Sequence, residues 1–383
     1  MDCERFSQVL ATLTDCQFHA DNKIAVLTNG DNFYEAELAA ISSAQRTINL
    51  EAFIFYKGEI GDRFVEALAE RARAGIKVKL IVDYLGSFKT KRTYFRKVID
   101  AGGRLEWYHS PRLDLLPQIN NRTHRELLVI DGVTGFIGGA GIADQWYKGA
   151  GGAARWRDTM FRVQGPAVTS LQSVFAENWL RVAGEILTSE EYFIYKPGEG
   201  GSLGAVINST PAAGSTRARI LYQLLIASAR QCIYISTPYF LPDRSARKAV
   251  VQAIQERNVK VKIVTPGQHS DHLLTRSSSQ RLYGSLLKAG AVIGEYQPAM
   301  IHAKIMIVDD LWSVVGSTNF DHRSFEINDE VNLAIADPEI AKRLTEDFNR
   351  DLEQSKVVTY EEWRKRAPFR ISEWLGALIE KQE

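Results

Sequence analysis

The sequence predicts an α/β fold made of two similar lobes, and three observations carry that expectation. Apolar strand-like runs alternate with amphipathic helix-like runs. The alternation occurs twice, in the same order. A connector rich in Gly, Pro and Ser, KPGEGGSLG (196–204), separates the two copies. A chain of 383 residues suits two domains, and the division is expected as 1–198 and 199–383. Repeated halves have similar surfaces, so the lobes are expected to pack about a pseudo-two-fold axis.

The elements follow in order. AISSAQRTINLEAFIF (40–55) and LIASARQCIYISTPYF (225–240) each read as a helix end followed by an apolar strand. DRFVEALAERARAG (62–75) and RSARKAVVQAIQERN (244–258) space apolar residues at i, i+3 and i+4, one stripe of a helix. AGIKVKLIVD (74–83) and RNVKVKIVTP (257–266) alternate basic and apolar residues and then turn continuously aliphatic, as a strand entering a core does. YFRKVIDAGG (94–103) and YGSLLKAGA (283–291) supply the next helix, and a strand hairpin ends each unit. The tail FRISEWLGALIEKQE (369–383) reads as an amphipathic helix with Trp374, Leu375, Leu378 and Ile379 on one side, packed on the lobes.

Composition narrows the partners. Hydrophobic residues at 45% and charged residues at 24% exclude a disordered tail, a collagen-like rod and a disulfide scaffold. The net charge of +1 lacks the basic excess of a nucleic-acid-gripping chain, so no nucleic acid is expected as partner. Cys3, Cys16 and Cys232 are odd in number and fit neither a disulfide framework nor a zinc site. No apolar run reaches the ~18 residues of a membrane span, and the segment after Met1 is not a signal peptide. The chain is expected to be soluble or peripheral, with a cleaved upstream anchor left open.

The chemistry sits at matching places in the two halves. In IHAKIMIVDDLWSVVGSTNFDHRSFEINDE (301–330), His302 and Lys304 are two apart on an expected strand and so share a face. A neutral imidazole can attack phosphorus, and an ammonium beside it can hold a phosphate oxygen. Asp309 reads as a turn or structural carboxylate. Gly316, Ser317 and Asn319 follow the next strand, where small residues and an amide can line an anion pocket. In THRELLVIDGVTGFIGGAGIADQW (123–146), His124, Asp131 and Gly138 precede His302, Asp309 and Gly316 by one constant offset. Each lobe therefore supplies one histidine, and a two-fold arrangement brings the pair to the lobe interface.

The pattern His-x-Lys-x4-Asp-x6-Gly-Ser-x-Asn at 302–319 resembles the HKD motif of the phospholipase D superfamily. TPYFLPD (237–243), GSTNFDHRSFEINDE (316–330), GEIGDRF (58–64) and WRDTMFRVQGPAV (156–168) narrow the resemblance to bacterial cardiolipin synthases, from about residue 24 to the C-terminus. The resemblance implies two α/β/α sandwich lobes with the active site between them, no cofactor and no metal. It implies a ping-pong reaction in which one histidine takes up the phosphatidyl group and the other protonates the leaving alcohol. It also implies that Asp158 in WRDT and Glu330 in NDEV hydrogen-bond the two imidazoles, fixing tautomer and charge. Phospholipids at a membrane surface are the implied substrates. The implied location is peripheral to the bacterial cytoplasmic membrane, or anchored there by a segment absent from this chain.

The first lobe departs from the pattern twice. Glu126 stands where the family has Lys, and Gly141 where it has Asn. Three readings of Glu126 are open: Arg125 or Arg122 supplies the missing charge, Glu126 binds polyol hydroxyls or positions the acceptor, or the lobe is degenerate. The order of roles is open too. Family habit puts the nucleophile on His124, whereas Glu126 beside His124 and Lys304 beside His302 argue for the reverse.

Other residues are read more plainly. His19, His109, His269, His272 and His322 are expected as surface or polar-network residues, and His269, Asp271 and His272 as a solvated loop, with a headgroup contact as the alternative. The loop 110–121 carries Leu113, Leu115 and Leu116, which either dip into lipid or anchor the loop on its own lobe. Trp146 and Tyr147 read as core or as the rim of a flap. The function expected is phosphatidyl transfer to an alcohol such as phosphatidylglycerol. A phospholipase D-type phosphodiesterase (lipid hydrolase or nuclease) and a lipid-binding pseudoenzyme are the alternatives, and the oligomeric state is unassigned.

Overall fold

The computed structural model describes residues 3–109, 121–149, 151–211 and 216–365. The loop 110–120 and the tail 369–383, both singled out from sequence, lie outside the described residues.

The repeat is realised strand for strand. The first half contributes Phe18–Thr28, Thr47–Ala52, Lys77–Asp83, Arg104–Tyr108, Leu127–Ile130, Thr134–Gly138 and Thr159–Gln164. Across the sheet they run first, seventh, sixth, fifth, second, third, fourth. Ser202–Ser209, Cys232–Ser236, Lys260–Pro266, Val292–Tyr296, Ile305–Val308, Trp312–Gly316 and Glu330–Ala336 repeat that order in the second half. In each half the second, third and fourth strands are parallel, and the rest pair antiparallel. The parallel strands are joined by the amphipathic helices read from sequence. In Glu59–Arg73, for example, Ile60, Phe64, Val65, Leu68 and Ala72 are buried along one stripe.

The two sheets fuse into one. Phe18–Thr28 is long enough to pair at one end with Ser202–Ser209, through Phe18↔Ala205, and at the other with Thr159–Gln164. The register shifts between His19 and Asn22. The result is a single 15-stranded sheet. Ser355–Val358 adds an edge strand to the second half.

Helices cover both faces, as an α/β/α arrangement requires. On one face each half has its own core. On the other, Ala167–Ala183 and Pro338–Glu353 cover one core that runs through both halves, from Phe161 and Leu171 to Val264 and Phe348. The helix Cys3–Thr14 crosses the expected division: Phe6 and Leu10 are buried in the core of the second half, with the Phe6 ring 4.8 Å from Trp312.

Asp131 and Asp309 occupy the same hairpin turn of their halves, at φ +53° and +54°. Aspartate tolerates this left-handed conformation better than most residues. The Asp131 carboxylate accepts the backbone N–H groups of Gln45, Arg46 and Thr47. Asp309 accepts those of Arg230, Gln231 and Cys232. Each therefore ties the hairpin behind a histidine to the start of the neighbouring parallel strand.

Candidate active site

Both histidines sit just ahead of the strands on which they were expected. Leu127–Ile130 and Ile305–Val308 begin three residues after His124 and His302. The preceding backbone is extended but pairs with the opposite half. His124 N–H donates to Asp329 O at 2.9 Å, and His302 N–H to Arg157 O at 2.7 Å. Isolated bridges join Thr123 to Asp329 and Ile301 to Arg157.

This exchange crosses the carboxylates. His124 Nδ1 lies 3.1 Å from both oxygens of Glu330, on the second half. His302 Nδ1 lies 2.8 Å from Asp158 Oδ2, on the first. Sequence indicated that these carboxylates serve the imidazoles but not that each serves the histidine of the other lobe. Spacing within one half carries no signal for that exchange.

The two imidazoles have unlike surroundings. Asp158 is fully buried and also accepts Trp146 Nε1–H at 3.0 Å and Thr159 N–H at 2.8 Å. Burial opposes its charge, but the His302 bond and charge, with Lys304, outweigh it and hold its pKa below the ordinary carboxylate value. His302 is pushed down to about 4, by burial first and by the Lys304 charge second, against the pull of Asp158. It is therefore neutral at pH 7. Lys304 Nζ lies 2.8 and 3.1 Å from the two ring nitrogens of His302 and 3.4 Å from Gly139 O. Burial lowers its pKa as well, against the nearby carboxylates. The rings of Trp146 and Trp156 enclose His302 at 5.1 and 5.4 Å. Trp146 is thus both core and site, not a flap. Trp156 was missed, although it stands inside the quoted WRDT run. On the other side, the His124 ring meets that of Phe53 edge to face, at 5.1 Å.

Several expected contacts fall elsewhere. Ser317 is fully buried behind the site, where its hydroxyl bonds Glu330 Oε2; it orients that carboxylate and does not line the cleft. Arg125 points through the sheet to Val174 O and Glu177, and Arg122 is buried 3.8 Å from Asp83. Neither supplies charge to the cleft. Strand alternation explains Arg125, which is one residue from His124 and takes the opposite face. Gly141 leaves no room for the family's Asn, since a Cβ there would stand 2.6 Å from Ile54 O and 3.0 Å from Glu126 Oε1.

Glu126 does face the cleft, but its Oε1 accepts the N–H groups of Phe53 (3.2 Å) and Ile54 (3.4 Å). Burial pushes its pKa well above the ordinary value, against those N–H groups and Lys304. Burial thus disfavours the Glu126 charge on which the assignment of roles from sequence relied.

The cleft has a volume of about 1350 Å³, larger than the ~300–1,000 Å³ of ordinary small-molecule sites. Phe53, Ile54, Leu85 and Phe88 make an apolar wall on the first lobe. The second lobe adds polar side chains, among them His272, His322 and Arg323. Asp271 and His272 lie on a solvent-exposed loop, as expected, and that loop also lines the cleft, with the Tyr239 hydroxyl donating to Asp271. His109 joins a polar network through Asn121 O, and His19 lies 3.3 Å from Ser170 Oγ. Asn319 and Asn328 line the cleft, each with a buried Oδ1 that has no protein partner. Asn328 was not singled out from sequence. Two imidazoles at a cleft between apolar and polar walls, each fixed by a buried carboxylate and one with an ammonium beside it, can perform nucleophilic and acid–base steps on a phosphodiester.

Comparison with known proteins identifies the family. The family model described as "Cardiolipin synthase, PLD-like domain" matches residues 38–179 and 222–352. Cardiolipin synthase 1 of Staphylococcus epidermidis is 36% identical over 97% of this chain and 76% of its own. The major cardiolipin synthase of Bacillus subtilis is 34% identical over 94% of this chain and 76% of its own. The crystal structure of phosphatidylserine synthase from Haemophilus influenzae shares the fold, with a TM-score of 0.74 at 15% identity, over 99% of this chain and 98% of that one. The chain belongs to the cardiolipin synthase family of phospholipase D-like proteins.

Proposed function

We propose that the protein is a phosphatidyltransferase that joins two phosphatidylglycerol molecules into cardiolipin through a phosphohistidine. The crossed histidine–carboxylate pair carries this reading, because it offers a nucleophile and an acid held separately at one cleft. His302 is the nucleophile: burial and Lys304 keep it neutral, and its Nδ1–H donates to Asp158. Its Nε2 lone pair attacks the donor phosphorus. The N–P bond forms as the P–O bond to glycerol breaks, and His124, paired with Glu330, gives its Nε2 proton to the departing oxygen. The hydroxyl of the second lipid then attacks phosphorus and returns a proton to His124, and the N–P electrons go back to His302. Lys304 and the amide of Asn319 stabilise the charge on the phosphoryl oxygens. Glycerol is the by-product.

The test is mass spectrometry of purified protein incubated with phosphatidylglycerol in mixed micelles. Cardiolipin and free glycerol in equal amounts are expected. Phosphatidic acid without cardiolipin would make the protein a hydrolase and overturn the reading.

A further inference from the structure

A basic and apolar surface adjoins the cleft mouth. Between Asp83 and Asp100 the chain has no acidic residue but five basic ones, Lys89, Lys91, Arg92, Arg96 and Lys97, in a molecule of net charge +1. Asp83 accepts the N–H groups of Leu85 and Gly86 and so fixes the turn that leaves the strand Lys77–Asp83. That turn presents Leu85 at 53% and Phe88 at 65% exposure, both on the cleft. Lys89 lines the cleft and also a second hollow of about 1040 Å³, whose wall has a basic excess, with Lys57, Lys91 and Arg96 beside the carboxylates of Asp62, Glu66 and Asp100. Arg63 and Lys97 in that hollow are paired with Glu35 and Glu66. Among the described residues, Lys57, Lys91 and Arg96 form no ion pair.

The second half places an apolar surface at the matching position. After the equivalent strand Lys260–Pro266, Leu273 and Leu274 open the helix Leu273–Ala289 at 67% and 74% exposure. They lie between His272 and Thr275, which line the same cleft. Large side chains exposed on both lips of one cleft, beside unpaired cations, fit a surface that is apolar below and anionic above.

We propose that these two loops seat the cleft mouth on an anionic phospholipid bilayer. Leu85, Phe88, Leu273 and Leu274 enter the boundary between headgroups and acyl chains, and the hollow of Lys57, Lys91 and Arg96 holds lipid phosphate. A lipid then passes from the bilayer into the cleft along the apolar wall of Phe53 and Ile54. The docking stands on exposure and charge alone; its consequence for turnover rests on the transferase reading above.

Sedimentation with vesicles of phosphatidylglycerol and phosphatidylcholine tests it. The parent protein should bind vesicles containing phosphatidylglycerol, more weakly at high salt, and pure phosphatidylcholine poorly. K91E/R96E should bind at least about tenfold more weakly, at ~1 kcal/mol per basic residue near an anionic surface. L273S/L274S should bind more weakly at every salt concentration. Both variants should keep parental turnover on a short-chain, monomeric phosphatidylglycerol and parental melting temperatures. Vesicle binding equal to the parent in both variants overturns the docking, whatever the activity. Docking as described without any transfer by the parent overturns the transferase reading and leaves the docking intact.

Discussion

His124 and His302 are the same side chain at repeated positions, and their neighbours make them different. His302 is enclosed by Trp146 and Trp156 and pushed down to about 4, so it is neutral across the physiological range. With an activated donor whose leaving group needs no acid, His124→Ala should still take up labelled phosphatidyl on His302, and His302→Ala should take up none. Label on His124 would reverse the roles. Lowering the pH through about 4 protonates the nucleophile, so kcat/KM should fall there. Lys304→Met removes a charge that depresses His302, so its acid limb should move to higher pH, readable in the pH profile even at low rates. Glu126 gives a second prediction at this scale. Its carboxyl is buried, which raises its pKa, and it accepts two backbone N–H groups. Glu126→Gln keeps an acceptor for them and should stay within a few-fold of the parent on every acceptor alcohol. Glu126→Lys restores the family's residue type but sets an ammonium against N–H donors, an uncompensated buried charge of about 3–5 kcal/mol. Its melting temperature should fall sharply; a stable, active lysine variant would show that the pocket reshapes. The pair of histidines was legible from the constant offset of the halves. The raised pKa of Glu126 was not, because it comes from burial in the folded cleft, which no local pattern reports.

Helices and parallel strands were the legible elements, because apolar spacing such as Ile60, Phe64 and Leu68 reports directly on the buried face. The extended segments before Leu127 and Ile305 were not, since their pairing lies across the repeat and no local pattern encodes it. Asp309 shows how much one side chain holds an element. Asp309→Ala would free the N–H groups of Arg230, Gln231 and Cys232 and place alanine at φ +54°. A loss of about 1–3 kcal/mol is expected in denaturant unfolding. Asp309→Asn, which keeps an oxygen and tolerates that φ, should lose less. Glu37, in the helix Gly30–Ser43, is buried, and burial pushes its pKa from 4.5 to about 8. The folded protein then holds this proton where the unfolded chain has lost it. Its contribution to stability is full below pH 4.5 and is progressively lost as pH rises through about 8. Glu37→Gln removes that linkage. Its melting temperature relative to the parent should therefore increase from pH 5 to pH 9; a difference constant with pH would show that Glu37 ionises without cost.

At the scale of the whole molecule, the halves that look separable in sequence are one physical body. KPGEGGSLG reads as a domain linker, yet its last three residues already belong to the strand Ser202–Ser209, which is the sheet neighbour of Phe18–Thr28 in the first half. The core under Ala167–Ala183 and Pro338–Glu353 is continuous, and Arg157 of the first half pairs with Asp351 of the second beneath the site. A linker signal reports local backbone freedom and says nothing of what the flanking segments bury together. Each imidazole also takes its carboxylate from the other lobe, so a lobe that swung away would break both pairs at once. We therefore expect a single calorimetric unfolding transition for the whole chain, with calorimetric and van't Hoff enthalpies in agreement. Fragments 1–198 and 199–383 should each lack cooperative unfolding when expressed alone. The second would also lack Phe6 and Leu10, leaving the Trp312 side of its core open to solvent and to a hydrophobic dye. Mixed together, the fragments should recover both the transition and the activity. Two resolved transitions in the intact chain, or a fragment 199–383 that melts cooperatively without residues 3–14, would show that the halves are independent domains and that the shared sheet contributes little to their stability.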